Sequence, residues 1–243
     1  MTIELKPIGT RCNLACAYCY EHGARKDEDE PEITPDIPAM IAAGRKYGQK
    51  FSLFGGEPLL TPKPMLDELF AGGCGGFQTN GLLIDDDHID LFRRYGAQIG
   101  VSIDGPGELN SLRCDVGETE RIIANIRRMR EAGIAVSIIS VMHQSNALPG
   151  PLEEFKAFGE EMGSIGVCNI NCHFLQGDSE YSLSPLQEKA AFLDLAEWLR
   201  DRPQLRWQPF IDIASLLTGS RTDQVLCVWH GCDPYTTSAV VAV

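Results

Sequence analysis

The chain has 243 residues, 44% of them hydrophobic and 23% charged, with a formal net charge of −13. That length and balance fit one soluble domain of ordinary size, or one large barrel-like domain with a short appendage, and exclude disordered, collagenous and coiled-coil classes. The acidic excess repels a nucleic-acid backbone or an anionic membrane surface, so neither is an expected partner.

The start, MTIELKPIGTRC, has no basic segment followed by a long apolar run, and no stretch reaches the length of a membrane helix. A cytoplasmic location is expected. There thiols stay reduced, so nine cysteines point to metal binding or catalysis before disulfides.

Short apolar, β-branched runs alternate with segments of helical period. In chain order the predicted strands are Ile3 to Ile8, Phe51 to Phe54, Gly76 to Thr79, Gln98 to Ile103, Ile134 to Val141 and Val167 to Phe174. Predicted helices lie between them, at about Pro35 to Tyr47, Pro62 to Phe70, Asp86 to Tyr95, Thr119 to Ala132 and Pro151 to Glu161. In the fourth helix Ile122, Ile126 and Met129 share one face, and Gly133 supplies a left-handed stop. Ser184, Pro185 and Gln187 form a capping-box start for a further helix. The charged run Arg25 to Glu32 reads as a solvated loop.

Regular alternation predicts an α/β fold of right-handed βαβ units, whose six units make either an open sheet or a partial (β/α)6 barrel of parallel strands over residues 1–200, with a C-terminal extension over 201–243. Ligands gather at the C-terminal ends of parallel strands, so the loops there are expected to carry the chemistry.

Directly after the first predicted strand stand Cys12, Cys16 and Cys19, spaced C-x3-C-x2-C. Cysteine thiolates hold iron–sulfur clusters, and three ligands from one loop leave a fourth iron open for a substrate or cofactor. Zinc is the competing metal, with His22 the nearby fourth ligand; three packed or idle cysteines are the bland alternative. Phe54-Gly55-Gly56-Glu57-Pro58 follows the second strand, where two glycines allow either a tight turn or close approach to a ligand.

The triplet, with Tyr18 before its last cysteine, resembles the signature of the radical S-adenosylmethionine (radical SAM) enzymes. That resemblance implies a 4Fe-4S cluster on Cys12, Cys16 and Cys19, with S-adenosylmethionine chelating the open iron. Electron transfer would release a 5′-deoxyadenosyl radical that takes a hydrogen atom from the substrate, with a reductase or flavodoxin as electron source. Gly55, Gly56, Glu57 and Pro58 resemble the family's GGEP motif, whose backbone meets the cofactor ammonium. Thr79 and Asn80 end the third strand in a segment that lines the site in the family. Ser102 and Asp104, in Ser-Ile-Asp-Gly after the fourth strand, resemble a subgroup pattern placed near cofactor or substrate, and Arg113 matches an arginine that pairs with the cofactor carboxylate. Ser140 ends the fifth strand, where relatives contact the ribose; His143 reads either as a proton donor or acceptor or, more simply, as a loop residue expected to face solvent.

Cys74, Cys114, Cys168 and Cys172 are expected in the core, since buried free cysteine behaves as a small apolar residue. Cys227 and Cys232 resemble the beginning of the SPASM extension, which carries an auxiliary cluster in peptide-modifying relatives. Two thiolates cannot fully ligate a cluster that takes four, so the extension reads as truncated, replaced or dispensable. Peptide-modifying relatives often carry a leader-recognition domain before the barrel; with eleven residues before Cys12, the expectation is that peptide recognition falls to the barrel mouth, the tail or a separate accessory protein. The resemblance implies a precursor-peptide maturase that crosslinks, epimerises or splices; the alternatives are sulfatase-maturing oxidation of serine or cysteine, and a non-catalytic iron–sulfur binding module.

Overall fold

In the computed structural model, residues 2–21, 34–47, 51–177, 179–219 and 238–242 are described. Along the chain run β1 (Thr2–Lys6), α1 (Ile37–Tyr47), β2 (Phe51–Leu53), α2 (Lys63–Ala71), β3 (Cys74–Thr79), α3 (Asp86–Tyr95), β4 (Gln98–Ser102) and α4 (Val116–Glu131). There follow β5 (Ala135–Met142), α5 (Gln144–Ala147), α6 (Pro151–Ser164), β6 (Ile170–Phe174), α7 (Pro185–Arg200), α8 (Phe210–Leu217) and β7 (Ser238–Ala242). Parallel strands alternating with helices from β1 to β6 give the expected α/β fold of partial (β/α)6-barrel type.

The chain divides into two compact units, Met1–Val101 with Asn125–Val136 and Asp233–Val243, and Ser102–Ala124 with Ser137–Cys232. In the first unit, β1 pairs in parallel with β2, β2 with β3, and β3 with β4. Ile3, Leu5, Phe51 and Leu53 are buried, whereas Glu4, Lys6, Ser52 and Phe54 are only partly so. By the two-residue period of a strand, one sheet face is therefore an apolar core face and the other is polar. Sheets buried on both faces read as unbroken apolar runs; this one keeps a face for something else. The core face meets an aromatic cluster in which the Phe77 ring lies edge-on to Phe92 at 5.5 Å, with Phe70 packed 6.0 Å from Phe77.

Local signals set the boundaries. Asp85 and His88 close a reciprocal capping box at the start of α3, and Gly96 ends that helix in the left-handed conformation. Ile122, Ile126 and Met129 are fully buried on α4, as their spacing predicts.

In the second unit β5 pairs in parallel with β6. Trp207, almost wholly buried, packs edge-on against Phe155 of α6 and beside Trp198 of α7. Gly159 makes room for it: a Cβ there would stand 2.1 Å from the indole ring. Ser184 and Gln187 form the expected capping box at the start of α7.

Two elements lie where the alternation lapses in the sequence. Helix α8 follows Pro209, and β7 pairs in parallel with β1 through register Glu4 to Val240. Among the described residues no helix is long and apolar enough to cross a membrane.

Candidate functional site

Three loops at the C-terminal ends of β1, β2 and β3 converge within the first unit, joined by backbone before any side chain is considered. Phe54 N–H donates to Leu5 O at 2.8 Å, Gly56 N–H to Gly9 O at 3.1 Å, and Glu57 N–H to Arg11 O at 2.8 Å. The loop after β2 thus runs as a clip along the segment that leads into the cysteines. Side chains are excluded there by contact: a Cβ on Gly56 would meet Arg11 O at 1.9 Å, and one on Gly55, whose φ is +115°, would meet Gly9 O at 2.4 Å.

Glu57 holds the third loop. Its carboxylate is 1% exposed and accepts the Leu59 N–H at 2.9 Å, the Thr79 hydroxyl at 2.7 Å and the Asn80 N–H at 2.7 Å. A buried carboxylate costs several kcal/mol unless donors satisfy it, and these donors come from two different loops. Asn80 then reaches the cysteine loop, its side-chain amide donating to Asn13 Oδ1 at 2.8 Å and to Cys12 Sγ at 3.9 Å. A second donor to the same sulfur is the Leu14 N–H, at 3.4 Å.

Beyond Cys19, which donates its N–H to Cys16 O at 3.0 Å, the loop is tied back to β1. Lys6 and Glu21 form an ion pair at 2.6 Å, with the Lys6 ammonium also 5.2 Å from the centre of the Phe54 ring. Cys16 is buried, Cys12 and Cys19 half-buried, and Tyr18 half-buried between them in sequence.

The thiol-only donor set and the N–H groups already aimed at Cys12 suit an iron–sulfur cubane, whose thiolates bind separate irons. A single zinc ion needs its donors around one point; among the described residues no three His, Cys, Asp or Glu side chains are gathered that way. His22, the proposed fourth zinc ligand, lies outside the described residues. Beside the triplet, Gly55 and Gly56 are required by the chain's own backbone, which occupies the space a side chain would take.

The Radical SAM superfamily description matches residues 7–150, more than half of the chain. The chain belongs to the radical SAM superfamily. Members of that family carry a 4Fe-4S cluster and use S-adenosylmethionine. The match encloses the cysteine loop, the GGEP clip and the Thr79-Asn80 turn that the geometry brings together.

Curated relatives of this radical SAM chain include the serine-type anaerobic sulfatase-maturating enzyme of Bacteroides thetaiotaomicron, 29% identical over 72% of this chain and 45% of the relative. The serine-type enzyme of Klebsiella aerogenes is 38% identical over 42% of this chain and 29% of its own length. The chain therefore spans less than half the length of these two relatives. In fold it is similar to anSMEcpe with bound AdoMet, at TM-score 0.78 and 18% identity over 92% of this chain and 68% of that one. It is likewise similar to Streptococcus suis SuiB bound to S-adenosylmethionine, at TM-score 0.72 and 15% identity over 99% of this chain and 58% of that one.

The remaining predicted residues belong to the second unit. Ser102, at the end of β4, is half-buried. Asp104 is fully buried and knits its surroundings: Oδ1 accepts the Val141 N–H at 2.8 Å and lies 3.9 Å from the Arg113 guanidinium, while its backbone N–H donates to Asn110 Oδ1 at 2.9 Å. Ser140 is also fully buried and donates to Ile103 O at 2.6 Å.

His143 departs from expectation. It does not face solvent but is fully buried as the N-cap of α5, where Nδ1 accepts the Ser145 N–H at 3.2 Å. With Nδ1 accepting, the neutral ring carries its proton on Nε2, which lies 3.4 Å from Asp104 Oδ2. Asn146, donating to Asp104 O at 3.0 Å and Val141 O at 2.8 Å, completes this cluster.

Of the cysteines expected in the core, Cys74 and Cys172 are buried, and burial pushes the Cys74 thiol up to about 12. Cys114 and Cys168 are instead half-buried; Cys114 accepts the Asn110 side-chain N–H at 3.2 Å. Cys227 and Cys232 lie outside the described residues. Sequence reasoning missed Asn13, the Lys6–Glu21 pair and Asn146; the one available signal was a basic residue ending β1 and an acidic one two places past Cys19.

Proposed function

We propose that this radical SAM chain removes a hydrogen atom from a residue of a ribosomally made precursor peptide, as a step in crosslinking, epimerisation or splicing. The observation that carries the radical assignment is the backbone clip between the Gly55-Gly56-Glu57 loop and the segment entering the cysteine loop, within the residues that the superfamily description matches. Cys12, Cys16 and Cys19 would hold the cluster, and the backbone of Gly55 to Pro58 would receive the ammonium group of S-adenosylmethionine. Bound together, these two groups supply a 5′-deoxyadenosyl radical.

The chain's own residues orient and enclose. Glu57 fixes the Thr79-Asn80 turn, and Lys6–Glu21 fixes the exit of the cysteine loop. Arg113, restrained beside Asp104, suits a carboxylate through its planar fork, with Ser102 and Tyr18 proposed near the cofactor; Asp104 and Ser140, fully buried and hydrogen-bonded to backbone, hold the loops. A peptide substrate is supported by the solved complex of SuiB with precursor peptide SuiA, whose fold this chain shares at TM-score 0.71. The polar sheet face of Glu4, Lys6 and Ser52 offers hydrogen-bonding groups to such a chain. A separate accessory protein that presents the peptide and a reductase or flavodoxin donor complete the proposed system; Cys227 and Cys232 are proposed as contributors to an auxiliary cluster.

A second reading has its own support. Identity to the sulfatase-maturating enzymes of Bacteroides and Klebsiella favours oxidation of a serine or cysteine in a protein. Co-expression with any short precursor peptide that is found encoded beside the gene, and incubation with a sulfatase-derived peptide, separate the two by mass. A mass change in the precursor supports maturation. Loss of two hydrogens from serine in the sulfatase peptide supports the second reading, and no 5′-deoxyadenosine with either supports a non-catalytic iron–sulfur module.

A further inference from the structure

We propose that Asn80 sets the reduction potential of the cluster held by Cys12, Cys16 and Cys19, by donating a side-chain N–H to the Cys12 sulfur. The inference rests on the cluster assignment above.

The orientation of the Asn80 amide follows from its partners. Its Oδ1 accepts the Leu82 N–H at 3.0 Å, so the opposite edge must be the NH2 group. One of those two N–H bonds goes to Asn13 Oδ1 at 2.8 Å, and the other faces Cys12 Sγ at 3.9 Å. The backbone is fixed independently, because the Asn80 N–H is held by Glu57 Oε2 at 2.7 Å. Asn80 is 6% exposed, so water does not compete freely for these donors. Its backbone N–H, Oδ1 and Nδ2 are all engaged, and Nδ2 is the group that reaches the thiol.

Reduction adds negative charge that spreads onto the ligating sulfurs. A hydrogen bond to sulfur therefore stabilises the reduced form more than the oxidised form and raises the potential. Asn80 and the Leu14 N–H act on the same sulfur, one through a replaceable side chain and one through backbone.

The test is a potentiometric titration of reconstituted protein, followed by the electron paramagnetic resonance signal of the reduced cluster, without turnover. N80L removes the donor at similar volume and is expected to lower the reduced fraction roughly tenfold at fixed potential, equivalent to about 59 mV for one electron. N80D keeps the acceptor for Leu82 but replaces the donor with negative charge, so its midpoint falls further. N80S, too short to reach the sulfur, falls with N80L. Wild-type midpoints in the iron-loaded Asn80 variants overturn the proposal. So does loss of iron from all three Asn80 variants, which assigns Asn80 to holding the loop instead of tuning it. Failure of the wild-type protein to bind iron refutes the cluster assignment, a separate result.

Discussion

The Glu57 carboxylate accepts the backbone N–H of Asn80 at 2.7 Å, so the loops after β2 and β3 share one buried anchor. Glu57→Gln turns one acceptor oxygen into a donor facing the Asn80 N–H or the Thr79 hydroxyl. An unsatisfied buried donor costs about 1–3 kcal/mol, so a fall of that size in the urea-unfolding free energy is expected. An unchanged midpoint would show that the loop re-pairs without this carboxylate.

Gly56→Ala should act on metal binding more than on folding. Its Cβ would stand 1.9 Å from Arg11 O, and the neighbour that must move is the backbone entering the cysteine loop. Iron content after anaerobic reconstitution is expected to drop severalfold. Gly96→Ala is the matched control: it is strained at φ 60° but meets nothing within 4 Å, so it costs about 1 kcal/mol of stability and leaves iron loading intact.

Lys6 and Glu21 pair at 2.6 Å with side chains 17% and 8% exposed. Exposed pairs contribute up to about 1 kcal/mol, while removing one partner of a buried pair costs about 3–5, and this pair lies between. E21Q is expected to destabilise by about 2 kcal/mol, and K6M with E21Q by less than the sum of the single changes. Strict additivity would mean that the contact carries no coupling.

Much of this organisation is legible in the sequence because it is local. The capping box at Ser184, the buried face of Ile122, Ile126 and Met129, and the order of strands and helices all depend on residues a few places apart. The cysteine spacing and the two glycines mark the site for the same reason. What eludes a one-dimensional reading is closure between distant segments. Asn80 reaches Asn13 across 67 positions, and Lys6 meets Glu21 only because the loop folds back. His143 was misjudged because a histidine after a strand gives no sign that Asp104, a strand away, will bury it. Helix α8 and strand β7 were missed where the alternating pattern fades after α7.

Stability at low pH should depend in part on Asp85. Burial works against its charge, but the Lys63 ammonium and the His88 N–H outweigh that and hold the carboxyl down to about 2. Its folded pKa thus lies below the ordinary value of about 3.9, so the folded state binds the proton less readily than the unfolded one. The stabilisation is present above pH 4 and lost as pH falls toward about 2. D85N, which retains a capping side chain, should flatten that limb of the urea midpoint against pH; a limb identical to wild type would contradict the assignment.

The most direct test of the account is cleavage of S-adenosylmethionine by the anaerobically reconstituted protein in the presence of dithionite. With about four irons bound per chain, release of 5′-deoxyadenosine and methionine is expected. Replacing Cys12, Cys16 and Cys19 with alanine should abolish iron binding and cleavage together. Cleavage that survives those replacements, or a fully loaded wild-type protein that releases no 5′-deoxyadenosine, would contradict it.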